Sequence, residues 1–180
     1  MEFHLGDYML RKIQAKDIDQ VFAGLSHPDV VNYYGLSYDS VDATSEQMVW
    51  YESLLSERTG IWWAIAELEQ DKLIGACGFY DWDVPNQSID LGYWLLPEYW
   101  GRGIMQRALP LILRHAFDQL HIHRIHADVE PDNIASCNLL RKVGFTHEGT
   151  LRDAECKDGG RVSLHQFGLL ASDPGARPRV

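Results

Sequence analysis

The segment 89–109 constrains the fold of this 180-residue chain more than any other. An apolar, strand-like run passes through Pro97 into the turn Gly101-Arg102-Gly103, and a long helical pattern follows the turn. Because the first N–H groups of a helix have no acceptor within the helix, such a turn can present them to an anion. The segment therefore predicts a phosphate-binding strand–turn–helix unit, with a purely structural connection as the alternative.

Length and composition predict one domain over residues 1–170 and a polar C-terminal tail over residues 171–180. Apolar residues make up 46% of the chain and charged residues 23%, as in soluble globular proteins that bury a full core. No segment approaches the ~20 consecutive apolar residues of a membrane helix, and the N-terminus lacks the pattern of a signal peptide. We therefore expect a cytoplasmic protein with no membrane partner.

Charge and cysteine content narrow the classes of partner. A formal net charge of -10 repels polyanions, so we expect no nucleic acid to bind, whereas a cationic substrate would be attracted. The alternative is that this charge serves solubility alone. The three cysteines, Cys77, Cys137 and Cys156, are scattered, and the tripeptide His121-Ile122-His123 has no completing ligand. We therefore expect neither a disulfide framework nor a metal site.

Helix signals occur in four places. An apolar stripe at helical spacing follows Asp17, which is predicted as its cap, and Thr44-Ser45-Glu46-Gln47 resembles a capping box. Asn133 is predicted to cap the last helix, and Pro110 predicts a bend about one turn earlier in the long one. Residues 27–43 lack a clear period and are predicted as an ordered loop. The helices are predicted over 18–25, 44–57, 104–120 and 134–142.

Strand signals alternate with these helices along the chain. The strands are predicted over 8–14, 61–68, 72–82, 88–95, 123–129, 146–152 and 161–169. The second and third form a hairpin, and the sixth and seventh are separated by a glycine-containing turn at 157–160. Strands with helices interspersed predict a three-layer α/β or α+β domain.

Three motifs in chain order add a family resemblance. They read LGYWLLPEYWGRGIM, PDNIASCNLLRKVGF and EGTLRDAECKDGG. From about residue 8 to 170 the chain resembles the GCN5-related N-acetyltransferase (GNAT) superfamily, and within it the RimJ/RimL-like branch that acetylates amines, including protein N-termini. The resemblance implies a mixed, mostly antiparallel sheet of about seven strands, with a V-shaped opening between the fourth and fifth strands and helices on both faces. It also implies acetyl-CoA as the donor and CoA as a product.

The resemblance places the donor site at the glycine turn. Residues 102–107 would hold the pyrophosphate on backbone N–H groups, Leu95 and Leu96 would bind the pantetheine like an added strand, and Asn133 would hydrogen-bond the pantetheine arm. Glycine and helix N-terminal dipoles suit a diphosphate, while the two arginines add charge or remain solvated. The implied cofactor-binding residues are Leu95, Leu96, Trp100, Gly101, Arg102, Gly103, Ile104, Met105, Gln106, Arg107, Asn133 and Ser136.

Two catalytic candidates follow from the same resemblance. Leu140 stands where many relatives carry the tyrosine that protonates the departing thiolate, so Ser136, one turn earlier, is the nearest hydroxyl candidate. Asp90 stands where relatives often carry a glutamate that takes the amine's proton, directly or through water. The alternatives are a first-turn helix hydroxyl for Ser136 and a strand-edge acid for Asp90.

Aromatic and acidic residues predict the acceptor site. Tyrosines after the first helix, together with aromatics and aspartates around residues 80–93, would suit a cationic amine by charge and cation–π contact. Core packing is the alternative for each aromatic. The predicted substrate-binding residues are Tyr33, Tyr34, Asp81, Trp82, Asp83 and Tyr93.

The leading functional hypothesis is an acetyl-CoA-dependent N-acetyltransferase that acts by direct attack of a primary amine in a ternary complex. The acceptor is either a protein N-terminal α-amine or a small amine such as a polyamine or amino sugar. A second hypothesis is a catalytically weak acyl-CoA-binding sensor. An open groove near Tyr33 and Tyr93 would favour a peptide, and a closed pocket at Asp81 and Asp83 a small amine. A homodimer is expected only by analogy with similar folds.

Overall fold

A single mixed sheet forms the middle layer of the protein in a computed structural model, which describes residues 2–176. Its order is β1-β2-β3-β4-β5-β6-β8-β7, and every neighbouring pair is antiparallel except β5 and β6. The mixed, mostly antiparallel sheet is confirmed, with eight strands rather than about seven. The strands are β1 (Phe3–Leu5), β2 (Tyr8–Lys12), β3 (Ile61–Glu67), β4 (Leu73–Asp83), β5 (Ser88–Leu95), β6 (Arg124–Val129), β7 (Thr146–Lys157) and β8 (Gly160–Leu170).

The additional strand is β1, which forms a tight hairpin with β2. Gly6 turns this hairpin with a φ of 74°, a left-handed conformation that glycine adopts without steric cost. The predicted strand over 8–14 begins where β2 begins, at Tyr8, but was wrong at its C-terminal end, since β2 stops at Lys12, and the prediction missed the strand that precedes it. Three residues are too few for an alternation to be recognised, which is why the sequence did not reveal β1.

Five helices cover the two faces of the sheet. They are α1 (Ile18–Leu25), α2 (Pro28–Val31), α3 (Val41–Glu57), α4 (Ile104–Asp118) and α5 (Ile134–Lys142). The predicted capping box at Thr44 was wrong: α3 begins one turn earlier, where the Ser40 side chain accepts from the N–H of Ala43. Thr44 lies inside the helix, and its hydroxyl donates to the Ser40 carbonyl at 2.9 Å. Residues 27–43 therefore contain α2 and the start of α3 as well as a loop.

Asp17 also differs from its predicted role. Its carboxylate makes no cap bond to α1 but accepts two hydrogen bonds from the Arg11 guanidinium, both at 2.8 Å, and one from the N–H of Gln14. Both charged side chains are almost fully buried. These hydrogen bonds raise the pKa of Arg11, the bond to Asp17 contributing most. Asp17 therefore forms a buried ion pair with Arg11 instead of the surface helix cap that the local sequence predicts.

Alternation along β5 assigns the helices to the two faces. Trp94 packs against Gly24 of α1 and donates its indole N–H to Tyr51 of α3 at 3.2 Å. The next side chain back, Tyr93, reaches Ser136 of α5 on the other face. Trp63 lies level with Tyr93 across the sheet and therefore on the same face. The Trp63 ring contacts His115 of α4. The helices therefore lie on both faces, as expected.

The sheet splits between β5 and β6. Their parallel pairing joins only Ser88, Ile89 and Asp90 to residues 124–126, and beyond Asp90 no pairing is recorded in the described part of the chain. The predicted V-shaped opening between the fourth and fifth predicted strands is thus present. Helix α4 continues through Pro110, and the bend expected there stays a prediction. Across residues 2–176, no helix has the length and apolar character needed to cross a membrane.

Candidate active site

A cavity of about 1370 Å³ occupies the opening between β5 and β6. Its walls include residues 91–95 of β5 and 127–129 of β6, so the cavity passes through the sheet. On the α4–α5 side it is lined by Trp100, Gly101, Gly103, Ile104, Met105, Gln106, Asp132, Asn133, Ile134, Ala135, Ser136 and Lys142. On the α1–α3 side it is lined by Asp29, Tyr33, Tyr34, Tyr38, Glu46, Gln47, Trp50, Trp62 and Tyr80.

The N-terminus of α4 presents a run of free backbone donors to this cavity. Within residues 2–176, no protein acceptor is recorded for the N–H groups of residues 101–106. Gly101 and Gly103 have φ angles of 72° and 69°, and a Cβ added at either would meet no atom within 4 Å. Both glycines line the cavity and leave open space around the backbone, which allows a ligand to approach it closely.

The two arginines of the turn do not face the cavity. Arg102 donates to the carbonyl of Glu98 at 2.7 Å and lies over the Tyr99 ring. Arg107 donates from its side chain to Leu5, and its backbone N–H is bonded to the carbonyl of Gly103 at 3.2 Å. The expectation that Arg107 offers a free N–H was therefore wrong. Because these side chains bond elsewhere, the site's positive field comes mainly from the helix dipole.

Leu95, Leu96 and Trp100 differ in how they meet the cavity. Leu95 lines it, and the Leu95 carbonyl accepts from the Trp100 indole N–H at 2.7 Å. Leu96 is not among the lining residues, and its N–H is bonded to Ile74 at 2.9 Å. The Trp100 side chain is 49% exposed. Residues 92–95 are therefore free to pair with the pantetheine as with an added strand, whereas the N–H of Leu96 is not.

The start of α5 brings two hydroxyl groups together. Asn133 caps the helix, as predicted, because its side chain accepts from the N–H of Ser136 at 3.2 Å. Ser136 Oγ lies 2.5 Å from Tyr93 Oη. Burial raises the pKa of Tyr93, so this phenol holds its proton at neutral pH. Leu140 is fully buried, and Tyr93 of β5 thus supplies a tyrosine hydroxyl beside α5 that the helix itself lacks.

Asp90 lies in a row of polar side chains across the sheet. It is in register with Tyr80 on β4 and His126 on β6, and it is half-buried. Burial raises the pKa of Asp90, His126 opposes the rise, and Asp81 and Asp128 add to it. Asp90 itself is not among the cavity-lining residues.

Two neighbours of Asp90 do reach the cavity. Asp128, two residues beyond His126 on β6, lines it, and its pKa is likewise raised by burial. Tyr80 also lines it, and burial together with Asp90, Asp81 and Asp128 raises the pKa of Tyr80 to about 12. The carboxylates near the opening therefore take up a proton more readily than they would in water.

The acceptor residues predicted from sequence divide into two groups. Tyr33 and Tyr34 line the α1–α3 side of the cavity, whereas Tyr93 faces Ser136 on the opposite side. Asp81, Trp82 and Asp83 are not among the residues that line this cavity, and their role in binding the acceptor stays a prediction. The Asp83 carboxylate instead accepts from the backbone and side chain of Asn86 at 3.0 and 2.7 Å. Asp81 and Asp83 are exposed at the end of β4, whereas Trp82 is half-buried and packs against the core.

Sequence reasoning missed several lining residues. Asp29, Glu46 and Asp128 place three carboxylates at the α1–α3 side, and Lys142 is the single Lys or Arg among the lining residues. The alternation of β6 carried a signal for Asp128, since Ile125, Ala127 and Val129 share the other face. No cluster of three or more His, Cys, Asp or Glu side chains in the described chain is arranged to hold a metal ion.

Comparison with known proteins places this site in a family. The Acetyltransferase (GNAT) domain matches residues 8–146. The "Uncharacterized N-acetyltransferase YoaA" of Bacillus subtilis (strain 168) is 33% identical over 163 residues, covering 90% of this chain and 92% of that protein. The ribosomal-protein-serine acetyltransferase of Escherichia coli (strain K12) is 31% identical over 87 residues, covering 48% of this chain and 49% of that protein.

Solved structures share the fold at lower identity. A ribosomal-protein-S5-alanine acetyltransferase from Vibrio fischeri has a TM-score of 0.84 and 21% identity, covering 96% of this chain and 98% of that one. The spermidine N-acetyltransferase of Vibrio cholerae, in complex with CoA and spermine, has a TM-score of 0.82 and 20% identity, covering 93% and 97%. With its split sheet, its amide-lined turn and the match over residues 8–146, the chain belongs to the Acetyltransferase (GNAT) domain family and is an N-acetyltransferase.

Proposed function

We propose that this protein transfers the acetyl group of acetyl-CoA to a protein N-terminal α-amine, by direct attack in a ternary complex. The observation that carries the proposal is the cavity through the split sheet, with free amides on one side and aromatic and acidic residues on the other. GNAT acetyltransferases use acetyl-CoA. Acetyl-CoA, when bound, supplies the acetyl group as an activated thioester.

The α4–α5 side suits the donor. The N–H groups of residues 101–106 would hold the pyrophosphate, with Lys142 as the nearest lining cation. Residues 92–95 offer a strand edge to the pantetheine, because β6 does not pair with them. Asn133 is partly engaged as a helix cap, but its side-chain amide N–H₂ remains available as a donor.

The residues around the opening can move the two protons that transfer requires. The attacking nitrogen must lose a proton. Asp128 lines the cavity on the acceptor side, and Asp90, which does not line it, would take the proton through a bridging water. The departing sulfur needs a proton, and Tyr93 or its partner Ser136 can donate one from the α5 side. Burial raises the pKa of Tyr93, so its hydroxyl is protonated at neutral pH and carries a proton to donate.

The acceptor side supports a peptide over a small closed-in amine. Tyr33 is 38% exposed and Leu36 39%, and both line the cavity, so this side opens to the surface. Asp81 and Asp83, which would have closed a small pocket, lie outside the lining. An α-amine with a pKa of ~7.8 is roughly one-seventh neutral at pH 7, whereas a lysine near ~10.4 is almost fully charged. An α-amine therefore needs less help from a base than a lysine does.

The proposal is tested by product analysis with a panel of acceptors. Acetyl-CoA is incubated with short peptides of different N-terminal residues, with the same peptides N-formylated, and with spermidine and glucosamine. Release of CoA and mass spectrometry of the products should show acetylation of free peptide N-termini and none of the blocked peptides. Turnover of spermidine or glucosamine alone would make the protein a small-amine acetyltransferase. CoA binding without turnover of any acceptor would favour the sensor hypothesis.

A companion variant tests the proton donor within the same assay. Tyr93→Phe should lower kcat about 100-fold while CoA still binds, because the hydroxyl beside Ser136 is lost and the ring remains. Tyr8→Phe removes a hydroxyl outside the main cavity and should leave kcat unchanged. An unchanged kcat in Tyr93→Phe would assign the proton to Ser136 or water.

A further inference from the structure

Lys157 connects three separate parts of the chain beside the cavity. It is the last residue of β7, at the tip of the β7–β8 hairpin. Its ammonium donates to both oxygens of Glu130, at 2.7 and 2.9 Å, and to the backbone carbonyl of Asn32. The ammonium thus has three acceptor atoms within hydrogen-bonding distance, as many as it has hydrogens. The same nitrogen lies 4.9 Å from the centre of the Tyr33 ring.

Each partner of Lys157 adjoins one wall of the cavity. Glu130 directly follows β6, and its carbonyl accepts from the N–H of Asn133, which caps α5. Asn32 begins the α2–α3 loop, residues 32–40, which carries the lining residues Tyr33, Tyr34 and Tyr38. Lys157 therefore ties this loop to the wall that leads into the donor side.

The α2–α3 loop is held at its other end by Tyr38. The N–H of Tyr38 donates to the carbonyl of Leu25 at 3.0 Å, and its hydroxyl donates to Gln47 of α3 at 3.1 Å. Between the two attachments the loop includes Gly35 with a φ of 70° and the exposed Leu36. Tyr34, between the two attachments, packs against the core and hydrogen-bonds through its side chain to Tyr51 of α3, so releasing Lys157 would free mainly Asn32 and Tyr33.

The cation over Tyr33 also changes the role predicted for that residue. One face of the ring is already covered by the Lys157 ammonium, so this face cannot hold a substrate cation. Lys157 side-chain exposure is 27% and that of Glu130 is 15%, and partial burial of this kind strengthens an ion pair relative to one in open solvent.

We propose that the Lys157–Glu130 ion pair is a positioning device for the acceptor, which fixes the α2–α3 loop at the mouth of the cavity and so sets the KM for the amine. The proposal rests on the proposed acetyl transfer. Neither side chain lines the cavity, so both act through Tyr33 and the loop backbone. Donor binding at residues 101–106 does not involve them.

The kinetic test compares three variants with a matched control. Lys157→Met keeps the length of the side chain and removes its charge and donors, Glu130→Gln keeps the shape of its partner, and Lys157→Arg restores a cation that can pair with a carboxylate. Lys16→Met removes a surface lysine that pairs with Asp71 away from the cavity. Lys157→Met and Glu130→Gln should each raise the KM for the amine about fivefold, with the KM for acetyl-CoA within about twofold of wild type.

The pattern among the variants separates positioning from loss of folding. Lys157→Arg should bring the KM for the amine most of the way back to the wild-type value, and Lys16→Met should match wild type. The double variant Lys157→Met/Glu130→Gln should raise this KM no more than the more affected single variant does. Equal rises in both KM values, or additive effects in the double variant, would overturn the proposal. If Lys157→Met does not fold, the two KM values of Glu130→Gln alone decide whether the proposal holds.

A second readout does not depend on turnover. Chymotrypsin cleaves after tyrosine and leucine, and residues 33–38 offer such sites in the loop. Cleavage within 33–38 should be about fivefold faster in Lys157→Met than in Lys16→Met, since loop opening precedes proteolysis. An unchanged cleavage rate would overturn the positioning role even if the wild-type enzyme acetylates no amine, whereas that lack of turnover would overturn only the proposed function.

Discussion

Asp90 shows how one residue's surroundings decide its chemistry. It lies half-buried on β5 between Tyr80 and His126, and burial is the main reason that its pKa is raised. A carboxyl whose folded pKa is raised contributes stability below its unfolded pKa and loses it as the pH rises through the folded pKa. At neutral pH the ionised Asp90 is therefore a cost to the fold, as expected of a group retained for function.

Asp90→Asn should separate activity from stability. We expect kcat/KM for the amine to fall about 100-fold, because a proton acceptor is lost. The free energy of unfolding at pH 7, measured with urea, should be unchanged or higher, since no charge is then buried. The difference in stability should shrink as the pH falls below the pKa of Asp90. The matched variant Asp128→Asn shows which carboxylate takes the proton: if it alone abolishes activity and Asp90→Asn does not, the assignment to Asp90 is wrong.

At the scale of elements, the β5–α4 connection depends on backbone conformation rather than on side chains. Gly101 and Gly103 adopt left-handed φ angles, which strain any residue with a side chain, and both line the cavity. Arg102 and Arg107, the obvious anion ligands in the sequence, bond to the protein's own carbonyls. The donor site is thus a property of the turn and helix start as a unit.

Gly103→Val should weaken CoA binding by more than about tenfold, because it strains the turn and places a branched side chain over the free amides. The matched control is Gly159→Val, at a glycine with a φ of 78° and equally open surroundings outside the cavity. Calorimetric titration with CoA measures both. Both variants should lose similar stability, and equal loss of CoA affinity would show that strain, rather than the cradle, explains the effect.

At the scale of the whole molecule, the net charge of the protein and the charged residues on the acceptor side of the cavity are both negative. The chain carries a formal net charge of -10, and Asp29, Glu46 and Asp128 line the acceptor side. A cationic acceptor is attracted both by the overall field and by the cavity wall. This long-range attraction is screened by salt, in contrast to contacts inside the cavity.

Raising the salt concentration from about 0.02 to 0.2 M should lower kcat/KM for a cationic peptide amine about threefold, as the attraction is screened. A weakly basic aromatic amine, neutral at pH 7, serves as the control and should show little change. Initial rates at fixed, saturating acetyl-CoA provide the measurement. The same salt effect on both amines would argue against electrostatic attraction of the acceptor.

Features that depend on neighbouring residues could be predicted from the sequence. The glycine turn before α4, the Asn133 cap of α5 and the hairpin of β3 and β4 follow from local backbone preferences, which act over a few residues. Local signals failed where two competed or where an element was short. Ser40 rather than Thr44 caps α3, and β1 is too short to be recognised by alternation.

Which distant side chains meet could not be predicted from the sequence, because it depends on the three-dimensional fold. Tyr93 and Ser136 are 43 residues apart in the chain, and Lys157 and Asn32 are 125 apart, yet each pair is in contact. Asp81 and Asp83 do not line the cavity, although their sequence position beside Tyr80 suggested otherwise. Such contacts depend on strand register, on the face to which each residue points and on how the sheet splits, and these are fixed by packing between distant segments rather than by neighbours in the chain.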